Sequence, residues 1–311
     1  MYLSYSGWKK FISCHLAYYL SYIRRLPTPG VDDRLGSVFG SVLGRLFELF
    51  YNRQLYRAPQ PQGAVDALVE ETVDAILEEE TTTTSSWRVA GVLLWKGDGE
   101  GQNPRGLYVN RRELEADVRD AVARGFRTIR HYRLLGQGAR AEVALDANMH
   151  GHKLGGRADF IMRRVKPLDD LIILDGKGSK YRDAYADVRQ LFWYSMLYRH
   201  HNKALPDQVG FVFWRFDPPN SIDMVPVTAE AIDRVEADVL KDIGLIQDLG
   251  ARVTAKTPLE EVRRTFLPIV DTKASKEDRE QACRFCPYAT DEICPGGAKV
   301  VQELNERRRP V

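Results

Sequence analysis

Apolar positions recur at helical spacing along the first part of the chain. Leu3, Trp8, Phe11, Ile12, Leu16 and Tyr19 predict one helix. Leu35, Val38, Phe39, Val42, Leu43, Leu46, Phe47 and Phe50 predict a second, set apart from the first by Pro27 and Pro29. A third amphipathic helix is expected over Ala64 to Glu80, then a short low-complexity linker from Thr81 to Ser86, then a helix capped by Asn110 and running to about Leu135. The period then changes from helical to alternating. Ala141 to Met149, Leu154 to Val165 and Leu171 to Asp175 predict three strands, the last two joined by residues 166–170. A helix is expected from about Ala184 to His200, a strand over Val209 to Phe216 with a hairpin partner at Ile222 to Val227, and a long helix capped by Thr228 and reaching about Leu249.

Strands clustered between helices argue for the α/β class, with a central mixed β-sheet flanked by helices. The expected organisation is a single domain over 1–311: a mainly helical part over 1–135, a core over 136–227 and a helical C-terminal part over 228–311.

Composition narrows the field. The chain has 311 residues, is 44% hydrophobic and 28% charged, and carries a net charge of +2. These values fit a globular protein with a sizeable core and exclude a disordered chain. No run approaches the roughly 18 apolar residues of a spanning helix. The apolar segment Phe11 to Ile23 follows Lys9 and Lys10, but His15 and several tyrosines interrupt it and no small-residue cleavage site follows, so it reads as an amphipathic helix of a cytoplasmic protein without membrane attachment. The charge is unevenly spread. Residues 1–60 hold eight Lys/Arg against three Asp/Glu, and residues 151–203 hold eleven against six, so a polyanion meets basic regions on a nearly neutral chain.

The candidate chemistry gathers at Gly156-Arg157-Ala158-Asp159-Phe160-Ile161 and Ile173-Leu174-Asp175-Gly176-Lys177. If the loop at 166–170 joins its strands symmetrically, Asp159 falls opposite Lys177, and position 161 falls opposite Asp175. Residues two apart share a strand face, so Asp159, Asp175 and Lys177 project together. Two carboxylates that close repel, and a divalent cation resolves the repulsion. Such a set suits metal-dependent phosphodiester hydrolysis, with Mg²⁺ or Mn²⁺ on the oxygen ligands and the lysine beside the attacking water. By itself Asp-x-Lys also fits a surface salt bridge.

These segments resemble the core of RecB-like nucleases in the PD-(D/E)XK superfamily, and the resemblance runs from Cys14 to Cys294. It implies a restriction-endonuclease-like core in which Asp159, Asp175 and Lys177 form the catalytic set. Gln190 and Tyr194, in Gln190-Leu191-Phe192-Trp193-Tyr194, match the family's Q-x-x-x-Y helix motif and lie four apart on one helical face. The resemblance implies that they support the active site and contact DNA. Gly40 to Glu48 resembles the family's first helical motif, with Glu48 in place of its glutamate and Gly44 where the family carries a metal-binding histidine. The expected metal ligands are Asp159, Asp175, Glu48 and the Gly176 carbonyl, with His150 or His152 as a competing source. Arg157, Lys180, Tyr181, Arg182 and Tyr185 are candidates for a strand-binding groove.

The four cysteines are Cys14, Cys283, Cys286 and Cys294. Four thiolates suit zinc or an iron–sulfur cluster. The chain resembles the iron–sulfur RecB-like nucleases, which include the AddB nuclease domain and CRISPR-associated RecB-like exonucleases. That resemblance implies a [4Fe–4S] cluster, with zinc as the alternative, stapling the N- and C-terminal segments. The functional expectation is an exonuclease on DNA ends or single strands in recombination, repair, phage or CRISPR-related processing, working beside a helicase or recombination or CRISPR-adaptation partner. The competing expectation is a non-catalytic DNA-binding or assembly subunit of such a complex.

Overall fold

The Leu171–Lys177 strand is apolar at successive positions, and Ile172, Ile173 and Leu174 are all buried. A strand buried on both faces belongs in the middle of a sheet. The computed structural model places it there, and describes residues 1–27, 35–57, 61–83, 111–135, 138–179, 182, 186–254, 256–284 and 286–307. In chain order the elements are β1 (Tyr2–Ser4), α1 (Tyr5–Ser13), α2 (His15–Tyr18), α3 (Leu35–Asn52), α4 (Pro61–Thr83), α5 (Arg111–His131), β2 (Arg140–Met149), β3 (His152–Arg163), β4 (Leu171–Lys177), α6 (Val188–Asn202), β5 (Gln208–Phe213), β6 (Ile222–Pro226), α7 (Ala229–Gly250), α8 (Leu259–Thr265), α9 (Lys276–Cys283) and α10 (Pro295–Glu306). They fall into two compact units. One comprises residues 1–32, 149–154 and 233–311, the other 33–148 and 155–232.

The second unit is a mixed sheet with helices. β3 runs antiparallel to β4, β4 parallel to β5, and β5 antiparallel to β6, while β2 also pairs with β3. Parallel neighbours need a crossover, and α6 supplies it. Asp187 caps α6 by accepting from the Arg189 N–H, and Lys203, at φ 58°, ends it in the left-handed region. Phe160, Met162, Ile172, Leu174 and Val212 pack in one core with Val42, Leu46, Phe47 and Phe50 of α3 and with apolar residues of α4 and α5. Strand alternation sends Asp159, Asp175 and Lys177 to the opposite face.

The observed β3–β4 register pairs Phe160 with Leu174 and Arg163 with Leu171. Carried one pair further, Asp159 stands opposite Asp175. The expected pairing of Asp159 with Lys177 is therefore off by two residues. The loop keeps five residues but lies one residue earlier, over 165–169: the Arg164 N–H donates to the Asp170 carbonyl at 2.9 Å and continues the register, and the Arg164 guanidinium binds the Asp170 carboxylate with Nε at 2.8 Å. A two-residue shift preserves the face on which each side chain lies.

In the first unit the expected N-terminal helix is interrupted. Leu3 lies in β1, and Cys14 breaks the helix with an extended backbone, φ −163° and ψ 112°. Ser4 caps α1 through its hydroxyl, which accepts from the Gly7 N–H. The Trp8 indole N–H donates to Asp242 on α7 at 2.8 Å, and the Tyr288 hydroxyl donates to the Leu26 carbonyl at 3.3 Å. N- and C-terminal segments are thus joined by hydrogen bonds. Thr228 caps α7 as expected, accepting from the Ala231 N–H. Asn110, residues 84–86, Lys180, Tyr181 and Tyr185 lie outside the described residues.

Candidate active site

β3 delivers Asp159, β4 delivers Asp175 and Lys177, and the first turns of α6 deliver Gln190 and Tyr194. The Gln190 amide Nε2 donates to Asp175 Oδ1 at 2.8 Å and lies 3.0 Å from the Tyr194 hydroxyl. Lys177 Nζ stands 2.5 Å from Asp175 Oδ2 and donates to Gln190 Oε1 at 3.3 Å. Asp175 Oδ2 is buried, and the Lys177 ammonium is the cation beside it. Lys177 also lies 5.2 Å from the centre of the Phe211 ring, which fixes its stem on β5. Asp159 Oδ2 accepts from the Gly176 N–H at 2.7 Å. Gly176 is needed for that approach: a Cβ there would lie 2.8 Å from the Trp214 Nε1 and 3.4 Å from Asp159 Oδ2.

The electrostatics follow from burial. Asp175 is 3% exposed. Desolvation raises its pKa, and the Lys177 ammonium opposes that rise. Asp159 keeps partial exposure, but its carboxyl is crowded by protein and its pKa is pushed up to about 8. Desolvation is the largest cause, the Asp175 charge the next, and Glu142 adds to both, while the Gly176 N–H and Lys177 pull the other way. The Tyr194 hydroxyl is raised by burial and by the charges of Asp175, Asp159 and Glu142.

Five expected site residues are therefore brought together: Asp159, Asp175, Lys177, Gln190 and Tyr194, with Gly176 between the two that share β4. Glu48 is held on α3 by Arg45 at 2.6 Å. The Cβ position of Gly44, one turn earlier, meets no atom within 4 Å. His150 and His152 belong to the segment 149–154 of the other unit. Arg182 pairs with Asp223 and lies over Phe213, and Arg157 stands 3.6 Å from Glu142. Glu142 carries no motif and is not among the expected site residues, yet its charge bears on Asp159. Its one signal is an acidic side chain at the half-buried start of an otherwise apolar alternation.

In the first unit, Cys14, Cys283, Cys286 and Cys294 line one cavity with Leu16, Ala17, Ile269 and Tyr288. Cys14 sits at the break between α1 and α2, Cys283 ends α9, and Cys294 opens α10. Burial raises the pKa of Cys283 to about 12, with further rises from Cys286, Cys294 and Cys14. Burial also raises Cys286 and Cys294. Four thiolates cannot share this cavity without a cation. Among the described residues, no group of three or more His, Cys, Asp or Glu side chains is placed to hold a single metal ion. No helix among them is long and apolar enough to cross a membrane.

A crystal structure from Eubacterium rectale, described as a candidate exonuclease, is 14% identical; the likeness covers 79% of this chain and 80% of that one, with a TM-score of 0.43. The crystal structure of SSO0001 is 17% identical over 60% of this chain and 74% of that one, with a TM-score of 0.28. No curated protein matches. Both TM-scores lie below 0.5, and the assignment rests on the family profile, which matches residues 2–295. With that match over both units, the chain belongs to the PD-(D/E)XK nuclease superfamily.

Proposed function

We propose that this chain is a Mg²⁺- or Mn²⁺-dependent deoxyribonuclease, acting as an exonuclease on DNA ends or single strands in recombination, repair, phage or CRISPR-related DNA processing. The observation that carries the reading is the contact chain Lys177–Asp175–Gln190–Tyr194 beside Asp159 on one sheet face. A surface salt bridge would not bury Asp175 or enlist two residues of a crossover helix. The same contacts weigh against a non-catalytic subunit, because a binding role does not call for buried, mutually repelling carboxylates. The family match spans both units and supports reading 1–311 as one nuclease domain.

Asp159 and Asp175 would hold the cation, with the Gly176 carbonyl and Glu48 as further oxygen donors. The donor set is hard and anionic, which fits Mg²⁺ or Mn²⁺. When bound, the cation supplies a water of lowered pKa and neutralises charge on the phosphate. Lys177 is held within reach of Asp175 and is placed to orient the attacking water and to offset charge on the phosphate in the transition state. Gln190 fixes Asp175 through Oδ1 and leaves Oδ2 to the lysine side. The Tyr194 hydroxyl accepts from the same Gln190 Nε2, so it would support the site through Gln190.

The cysteines would hold a [4Fe–4S] cluster with a structural role. Support comes from the four thiols around one apolar cavity, which repel as thiolates. Zinc fits less well. A single ion with tetrahedral bonds of about 2.3 Å draws its ligands tightly together, whereas a cluster ligated at its irons spaces its cysteines more widely. Incubating the protein with end-labelled single- and double-stranded DNA and Mn²⁺, with and without EDTA, tests the function. Shortening from the labelled end that EDTA stops is the expected result. Intact DNA of both kinds would reject it.

A further inference from the structure

β4 and β5 end together. Their parallel register pairs Lys177 with Phe213, the last residue of each strand. One more backbone bond follows, from the Trp214 N–H to the Lys177 carbonyl at 3.1 Å. The chain after β5 then turns, with the Phe216 N–H on the Phe213 carbonyl at 3.1 Å. The carbonyl next along from Lys177, that of Gly178, accepts from a side chain: Arg215 Nε donates to it at 2.8 Å.

The guanidinium that makes this bond is held on two other sides. Its Nη1 donates to Asp117 Oδ1 of α5 at 2.7 Å, and its central carbon lies 3.5 Å from the centre of the Phe39 ring on α3. α3 also rests on the Gly178 backbone itself: a Cβ there would lie 3.2 Å from the Phe39 ring and 3.4 Å from the Gly40 Cα. The Arg215 side chain is 14% exposed. An apolar residue would fill the same space without a desolvation cost, and replacing a buried ion pair by apolar groups is often neutral for stability. What a guanidinium adds is direction. Its planar fork donates to a carbonyl and a carboxylate at fixed angles while its face lies on a ring.

Resting on the reading of Lys177 as the residue that serves the attacking water, we infer that Arg215 is a positioning residue for Lys177. It fixes the Gly178 peptide, and so the end of the strand from which the ammonium projects, and ties that end to α3 and α5. Asp175, Gln190 and the Phe211 ring set the Lys177 side chain. Trp214 and Arg215 set the backbone beneath it. Both are needed, because reacting groups displaced by about 1 Å can lose roughly 100-fold in rate.

The test is single-turnover cleavage of end-labelled DNA in Mn²⁺ by the whole chain, with DNA affinity and denaturant unfolding measured on the same preparations. The proteins are wild type, Arg215→Ala, Arg215→Lys and Lys177→Ala. At saturating protein, Arg215→Ala should cleave roughly 100-fold more slowly, with DNA affinity near that of wild type. Millimolar guanidinium chloride, against the same ionic strength of sodium chloride, should restore part of that rate, because Asp117 and Phe39 still frame the vacated position. It should restore none in Lys177→Ala. Arg215→Lys keeps a charge for Asp117 but has no fork, so its rate should lie between wild type and Arg215→Ala; it decides the matter if Arg215→Ala does not fold. Folded Arg215 variants that cleave at the wild-type rate make the residue merely structural and overturn the inference. So does a loss of DNA affinity with the saturated rate intact, or a folded Arg215→Ala that guanidinium leaves unchanged. If wild type does not cleave, or Lys177→Ala cleaves as well as wild type, the reading beneath the inference fails, whatever Arg215 does.

Discussion

The Gln190 side chain donates to Asp175 Oδ1 at 2.8 Å, from the first turn of the crossover helix to the middle strand of the sheet. The same amide receives Lys177 on its oxygen and meets Tyr194 on its nitrogen. One neutral side chain thereby sets the position of a buried acid, a base and a phenol. Gln190→Ala should strip Asp175 of that bond. A buried acceptor left unsatisfied costs about 1–3 kcal/mol, and cleavage should fall by more than that loss of stability explains. Denaturant unfolding beside single-turnover cleavage separates the two effects. Equal cleavage by Gln190→Ala and wild type would make the contact merely structural.

Asp159 gives a pH dependence with a defined sign. Its folded-state pKa, about 8, lies above its ordinary value of 3.8. Its contribution to stability is then fully present below about pH 4 and is lost as pH rises through 8. In EDTA, the stability of wild type relative to Asp159→Asn should therefore decline between about pH 4 and pH 8. Mn²⁺ should reverse the trend, because the cation binds the ionised carboxylate and releases its proton. Parallel wild-type and Asp159→Asn profiles in EDTA would contradict the burial argument.

Gly44 is a second lever. Its Cβ position is open, so Gly44→His can be accommodated on α3. Replacing a mid-helix glycine should add roughly 0.3–0.5 kcal/mol of stability. An imidazole one turn from Glu48 should also lower the Mn²⁺ concentration needed for half-maximal cleavage, whereas Glu48→Ala should raise it. A metal requirement unmoved by both changes would remove α3 from the metal site.

Much of this architecture was legible in the chain. Helical spacing located α3, α4 and α7, alternation located β2, and continuous apolar runs located β4 and β5, which are buried on both faces. The face shared by Asp159, Asp175 and Lys177 was also readable, since strand parity survives a one-residue displacement of the loop, which moves the pairing by two. The pairing itself was not, because it depends on where the loop begins, and the backbone and side-chain bonds of Arg164 to Asp170 start it one residue earlier. The N-terminal break was equally hidden. Leu3, Trp8 and Phe11 have helical spacing, and only the tertiary placement of Cys14 at an extended backbone position separates α1 from α2.

The cysteine cavity predicts colour and composition. Anaerobically purified protein should be brown and hold about four irons per chain. Cys14→Ala should lose the iron and destabilise the first unit, since the ligand joins the α1–α2 break to the C-terminal segment. Zinc without iron in anaerobic wild-type protein would refute the cluster.

The most direct test of the account is cleavage of end-labelled DNA in Mn²⁺ by wild type, Lys177→Ala, Asp159→Ala and Asp175→Ala, with folding of each variant checked by circular dichroism. Wild type should cut, and each folded variant should be slower by roughly 100-fold or more, as loss of one charge-stabilising group commonly dictates. Wild-type rates in all three variants would contradict the assignment of chemistry to this sheet face.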